Sequence, residues 1–121
     1  MTSAFFFDSY AILELLQGNP NYANYSEQAV FTKLNLFEVY CALIREGKVE
    51  EAEGFLKENH LQASDFDAQI IAQAAFFRLE NSARRISMTD AIGYALSLRL
   101  GIKFLTGDKE FQGFENVEFV K

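Results

Sequence analysis

The sequence has little with which to staple, break or anchor a chain. Cys41 is the only cysteine, which excludes a disulfide framework and a thiolate metal cluster and suits a reducing, cytoplasmic compartment. His60 is the only histidine and follows the polar stretch Lys57-Glu58-Asn59. A serine or cysteine triad and a histidine-based zinc site therefore find little support. One proline and seven glycines leave little room for a linker or a disordered tail. No apolar run approaches the length of a membrane span. The first sixteen residues, interrupted by Asp8 and Glu14, lack the basic leader and small-residue cleavage site of a signal peptide, so none is expected. Basic residues are also sparse: 11 Lys and Arg stand against 17 Asp and Glu, a net charge of -6. This disfavours a protein that wraps a broad basic surface around phosphates. It does not exclude a nuclease, because clustered carboxylates holding a divalent ion would carry much of that charge and the ion itself attracts phosphate.

Apolar residues are abundant. Half of the 121 residues are hydrophobic and 13 are Phe, enough for one domain over residues 1–121 with a core of its own. The run Ala4–Phe7 has the pattern of a strand covered on both faces. Asp8 or Ser9 then caps a helix over about Tyr10–Gln17 with Ile12, Leu15 and Leu16 inward, stopped by Gly18-Asn19-Pro20. Asn21–Ser26 reads as a loop running towards a short helix, and Ala29–Thr32 as a second strand. From Asn35 the spacing of Phe37, Tyr40, Cys41 and Ile44 predicts a helix buried on that side and ending at Gly47. Val49–Lys57 is a further amphipathic helix with Ala52, Phe55 and Leu56 inward. Ser64 or Asp65 opens one over Phe66–Glu80, with Phe66, Ile70, Ala74 and Phe77 on its apolar face. Ser87 with Asp90 three residues on resembles a capping box for a helix ending near Gly101. Ile102–Leu105 is a buried-type strand, Thr106-Gly107-Asp108 a tight turn, Lys109–Phe111 a turn of helix, and Val117–Val120 a last strand. Strands alternating with helices predict a three-layer α/β/α sandwich with a central, mainly parallel sheet.

In such sheets ligands collect beyond the carboxyl ends of the strands, at the point where strand order reverses. Asp8 directly follows one predicted strand and Asp108 follows another after a short turn. If both strands are central and parallel, the two carboxylates share one edge. Asp90 sits in the first turn of its helix, where an anion is favoured; it is either a capping residue or a member of the same group. Glu38 lies within the apolar run Leu36–Tyr40, where an unpartnered carboxylate is costly. It needs a cation, an exposed face, or a partner such as Arg45. Four acids from four segments suit a hard divalent cation, which would relieve their mutual repulsion and assist phosphodiester hydrolysis. No glycine-rich phosphate loop is present. A phosphoacceptor site would want an adjacent acidic pair where Asp8 stands alone, and a haloacid-dehalogenase-like phosphatase a second Asp where Tyr10 stands.

Three segments resemble the PIN-domain family, in particular the small VapC-type toxins of toxin–antitoxin pairs. They are Phe7-Asp8-Ser9-Tyr10-Ala11, Leu36-Phe37-Glu38-Val39, and the run from Ile86-Ser87-Met88-Thr89-Asp90-Ala91 through Leu98-Arg99-Leu100-Gly101 to Phe104-Leu105-Thr106-Gly107-Asp108-Lys109-Glu110-Phe111. The order and spacing cover essentially the whole chain, while Val49–Asn81 matches only in being helical. The resemblance implies an endoribonuclease using magnesium or manganese, with Asp8, Glu38, Asp90 and Asp108 as catalytic and metal-binding residues. Ser9 would orient Asp8 or a water, and Thr106 would support the turn carrying Asp108. Arg84, Arg85 and Lys109 would be RNA-phosphate contacts. The implied partners are an RNA substrate, a second copy of the chain and a small antitoxin. Two other readings share the sequence features: a catalytically silent PIN-like module for protein assembly or RNA binding, and a metal-dependent phosphatase of small substrates.

Overall fold

The structure is a computed structural model describing residues 4–25 and 28–121. Ser26, the last residue of the expected loop, and the first three residues of the chain lie outside the described residues. The apolar runs become short strands: β1 (Phe5–Phe7), β2 (Ala29–Val30), β3 (Lys103–Thr106) and β4 (Val117–Phe119). Every pairing is parallel, in the order β2-β1-β3-β4. The chain thus steps outward from β1 to β2 and then returns to lay β3 on the other side of β1. Strand order reverses between β1 and β3, which is the sheet's switch point.

Alternation along the two central strands loads both faces. Phe6 and Phe104 enter one core, which α4 (Ala68–Glu80) and α5 (Met88–Leu100) cover through Ile70, Ala74 and Ile92. Phe7 and Leu105 enter the other, beneath α1 (Ser9–Leu16), α2 (Lys33–Arg45) and α3 (Val49–Asn59) with Ala11, Val39 and Ala52. The expected three layers are present. Short 3-10 turns fill Pro20–Tyr25, His60–Gln62 and Lys109–Phe111.

Several local expectations need correction. The stretch after Pro20, expected mainly as loop, is a 3-10 turn tied down by Tyr22, whose hydroxyl donates to the Val120 carbonyl. Thr32 is the N-cap of α2 rather than the end of a strand, and Asp67, rather than Ser64 or Asp65, caps α4 by accepting the Ile70 N–H at 3.0 Å. The buried face of α2 is turned by one position from the expected one. Asn35, Leu36, Val39 and Leu43 face inward, while Phe37 is 70% exposed and Ile44 is also on the surface. Leu16 and Leu56 likewise lie outward.

Helix α5 is buried along most of its length, from Thr89 to Ser97, as expected of a helix that is apolar on all sides. Its approach to the sheet depends on Gly93. A Cβ there would lie 2.5 Å from Phe6 Cε1 and 3.3 Å from Phe104 Cε1. Gly93→Ala is therefore expected to destabilise the protein by about 1–3 kcal/mol through overpacking, read as a lower urea midpoint with an unchanged m-value.

Candidate active site

The carboxyl edge of the central strands is built outward from Asp8. The residue follows β1, and its N–H continues the ladder to the Leu105 carbonyl at 3.2 Å. Its side chain is only 2% exposed and caps α1, Oδ1 accepting the Ala11 N–H at 2.8 Å. The buried hydroxyl of Thr106, on the neighbouring strand β3, donates to Asp8 Oδ2. The Thr106 hydroxyl oxygen itself accepts the Asp108 N–H at 3.0 Å. Thr106 thus links the two strand-end acids across the switch point while bracing the turn that carries Asp108. Asp108 Oδ1 in turn takes the Glu110 N–H at 3.0 Å. Gly107 lets this turn close, because a Cβ there would meet Tyr10 Cε1 at 2.3 Å and the Val120 carbonyl at 2.6 Å.

Glu38 is half-buried on α2 and is not paired with Arg45. Ser9 donates to its Oε1 at 2.6 Å, so Ser9 positions Glu38 rather than Asp8. Behind Ser9 stands a residue the sequence reading missed. Asn35 is fully buried and donates through Nδ2 to Ser9 Oγ at 3.1 Å, while its Oδ1 accepts from Thr32 N at 2.9 Å and Thr32 Oγ1 at 3.1 Å. The signal is the Thr32-x-x-Asn35 spacing of a helix cap, which the strand-like pattern of Ala29–Thr32 conceals. On the opposite side Ser87 caps α5 by accepting the Asp90 N–H at 3.1 Å.

Two of the four acids, Asp8 and Asp90, are shifted by burial and by the charges of the others. Burial pushes the Asp8 carboxyl well above the usual carboxylate range, and the charges of Asp90 and Asp108 add to the rise against the hydrogen bonds from Thr106 and Ala11. Asp90 is pushed up to about 7, first by burial and then by Glu38 and Asp108, with Ser87 opposing. Among the described residues none of the four is ion-paired. Unneutralised, mutually repelling carboxylates are what a divalent cation relieves, and an all-oxygen donor set suits magnesium or manganese. Among the described residues, however, no three His, Cys, Asp or Glu side chains are grouped closely enough to hold a metal ion. The two observations are compatible. Coulombic coupling reaches beyond a ligand shell, and magnesium is commonly held by one or two carboxylates, with water and substrate phosphate completing its shell.

Of the expected phosphate contacts, Lys109 is exposed beside Asp108. Arg84 is held in place by the chain: its Nη1 donates to the carbonyls of Glu110 at 2.6 Å and Gln112 at 2.9 Å, and its guanidinium lies 4.4 Å from the Phe114 ring centroid. Arg85 is exposed, its backbone N–H donating to Glu110 Oε1 at 3.1 Å.

The architecture is that of an α/β protein, a parallel sheet flanked by helices with Asp8 and Asp108 following its two central strands. The chain belongs to the PIN-domain family, whose model matches residues 5–117. Solved structures agree in fold. A toxin–antitoxin complex from Klebsiella pneumoniae contains a chain similar at 18% identity and a TM-score of 0.73, with 97% of this chain and 96% of that one covered. The Mycobacterium tuberculosis toxin VapC20, described as cleaving the sarcin–ricin loop, is similar at 19% identity and a TM-score of 0.74, over 94% and 98%. A protein from Pyrobaculum aerophilum follows at 16% and 0.69, over 99% and 92%. No curated protein sequence matches the chain. No helix among the described residues is long and apolar enough to cross a membrane.

Thr106→Val tests the link between the strand-end acids. It removes the donor to Asp8 and the acceptor of the Asp108 N–H at nearly constant volume. A stability loss of about 1–3 kcal/mol and a roughly 10–100-fold loss of any metal-dependent activity are expected. Denaturant titration and metal-dependent turnover of the same preparation separate the two effects.

Proposed function

We propose that the protein is a metal-dependent endoribonuclease that hydrolyses RNA phosphodiester bonds with magnesium or manganese, as the toxin of a toxin–antitoxin pair. The observation carrying this reading is Asp8: a buried carboxylate without an ion-pair partner among the described residues, at the switch point, electrostatically coupled to Asp90 and Asp108. In this reading Asp8, Glu38, Asp90 and Asp108 hold the metal. When bound, the ion supplies an activated water and neutralises charge on the transferring phosphoryl group. The chain supplies the positioning. Asp8 is fixed by the Ala11 N–H and the Thr106 hydroxyl, Glu38 is aimed by the Asn35–Ser9 relay, and Asp108 is held by the turn that Gly107 permits. Membership of the family and the likeness to a chain of a toxin–antitoxin complex and to a toxin support the toxin assignment.

An RNA substrate, a small antitoxin and a second copy of the chain belong to the same proposal. Helix α4 carries an outward apolar stripe of Ile71, Ala75, Phe76 and Leu79, with Phe76 69% and Leu79 74% exposed. A second copy lying on this stripe would remove it from water, in line with what large exposed apolar patches signify.

A second reading, the catalytically silent PIN-like module, is favoured by the absence of a close three-ligand group among the described residues. Incubating total cellular RNA with the purified, antitoxin-free protein in magnesium, in manganese and in EDTA decides between them. Discrete fragments that need metal support the nuclease, whereas intact RNA in both metals with folded protein supports the silent module.

A further inference from the structure

A hollow of about 440 Å³ opens between the end of α4 and the start of α5, where Arg78, Ser82, Arg84, Arg85 and Ser87 line it together with the apolar Leu79 and Ile86. In a chain of net charge -6, three arginines around one concavity are unexpected. Among the described residues the ion pairs involve Lys48, Arg99 and Lys103, and none of these three. Two are instead set in place by neutral groups. Arg78 Nε donates to the Ile86 carbonyl at 2.9 Å, and Arg84 is held by the Glu110 and Gln112 carbonyls and the Phe114 ring. A guanidinium fixed by carbonyls keeps its full charge and has lost part of its rotamer freedom in advance, both of which favour anion capture. Glu110 reaches the loop through the Arg85 N–H, without an ion pair to any of the three guanidiniums.

The hollow adjoins the segments that carry Asp90 and Asp108. Ser87, one of its walls, accepts the Asp90 N–H, and Glu110, bonded to the Arg85 N–H, donates its own N–H to Asp108.

We infer that this hollow is a phosphate-binding subsite for a backbone phosphate flanking the scissile one, so that the substrate is an oligonucleotide with consecutive phosphates rather than a small phosphate ester. The inference rests on the nuclease reading for the identity of its ligand. Arg78, Arg84 and Arg85 hold the strand on the α5 side of the acids. Being contacts to phosphate, they add affinity without base preference. They also account for how a protein of acidic overall charge takes up RNA: the basic surface is concentrated at one place instead of being spread.

The test is binding of a short fluorescein-labelled single-stranded RNA in EDTA, by anisotropy across a salt series. Arg85→Ala is the cleanest variant because no hydrogen bond of its guanidinium holds the fold, and Arg78→Gln is the second, with thermal melts confirming that both fold. Each is expected to weaken binding about five- to tenfold for RNAs of different sequence and to reduce the salt slope by about 0.7 per arginine. Wild-type affinity and slope in both folded variants would overturn the subsite, and the nuclease reading would stand if wild-type protein still cut RNA. Arginine-dependent binding by a protein that cuts nothing in magnesium or manganese would uphold the subsite and remove the nuclease.

Discussion

Asp8→Asn is expected to lower metal-dependent RNA cleavage at least about a hundredfold while leaving the fold intact and the metal-free protein as stable as wild type, or more so. The substitution keeps shape and keeps an oxygen for the Ala11 N–H. It costs one hydrogen bond, because the Thr106 hydroxyl would then face an amide NH2 group, a loss of about 1 kcal/mol. Against that, it removes a carboxylate that is 2% exposed and that burial, Asp90 and Asp108 all disfavour in its charged form. Metal reverses the balance. A ligand that binds only the folded state at a hundred times its dissociation constant stabilises by about 2.7 kcal/mol, and the variant forfeits most of this. Melts with and without magnesium or manganese, run beside the cleavage assay, should show a metal-induced rise for wild type and little for Asp8→Asn. Equal cleavage by both proteins would remove Asp8 from the active site. A wild-type melt that ignores both metals would remove the metal.

The residues differ in how openly their sequence context declares them. Asp8 and Asp108 were legible because each follows a short apolar run, and such runs bounded by turn residues mark central parallel strands whose ends form the edge of the sheet. The resemblance puts the Thr106 hydroxyl within reach of the same network, but its bond to Asp8, 98 residues away in sequence, is fixed only once the two strands lie side by side. Glu38 stands out by its apolar neighbours and by the family resemblance of its segment, but the buried face of its helix lies one position from where the apolar spacing puts it. Phe37 points outward, and the inward polar residue is Asn35. Helical periodicity misleads here because α2 carries apolar residues on more than one side, so the polar Asn35, held by Thr32 and Ser9, marks the inner face better than Phe37 does. The same ambiguity affects α4, whose Ile70 and Ala74 are covered by α5 while Ile71, Phe76 and Leu79 are not. No periodicity within one helix states which of two apolar faces its own chain will cover. The arginines were named as phosphate contacts from their place before Asp90. The hollow, and Arg78 as its third cation, exist only once Ile86 and the 109–112 turn close around them.

Metal-free protein is expected to lose stability as pH rises from about 4 to about 7, the opposite of ordinary acid denaturation, and divalent metal is expected to cancel or invert that trend. Asp90 has a folded-state pKa of about 7 against an ordinary 3.8. Between those values the native state binds more protons than the unfolded chain, so the slope of unfolding free energy with pH is negative. The contribution favours folding below about pH 4 and is lost progressively until the carboxylate is ionised in both states, for a total of about 2–4 kcal/mol once residual solvent screening is allowed for. Asp8, raised for the same first reason, acts in the same direction. Asp67 acts in the other, its carboxyl lowered chiefly by the Ile70 N–H, but it is open to solvent, where such interactions contribute little. Urea titrations at a series of pH values should therefore show a falling midpoint, flattened in Asp90→Asn. With magnesium or manganese present, binding requires the deprotonated carboxylates and releases their protons, so metal affinity and stability should climb together through the same window. A metal-free midpoint that rises with pH would show that Asp90 is solvated in solution and carries no unrelieved charge.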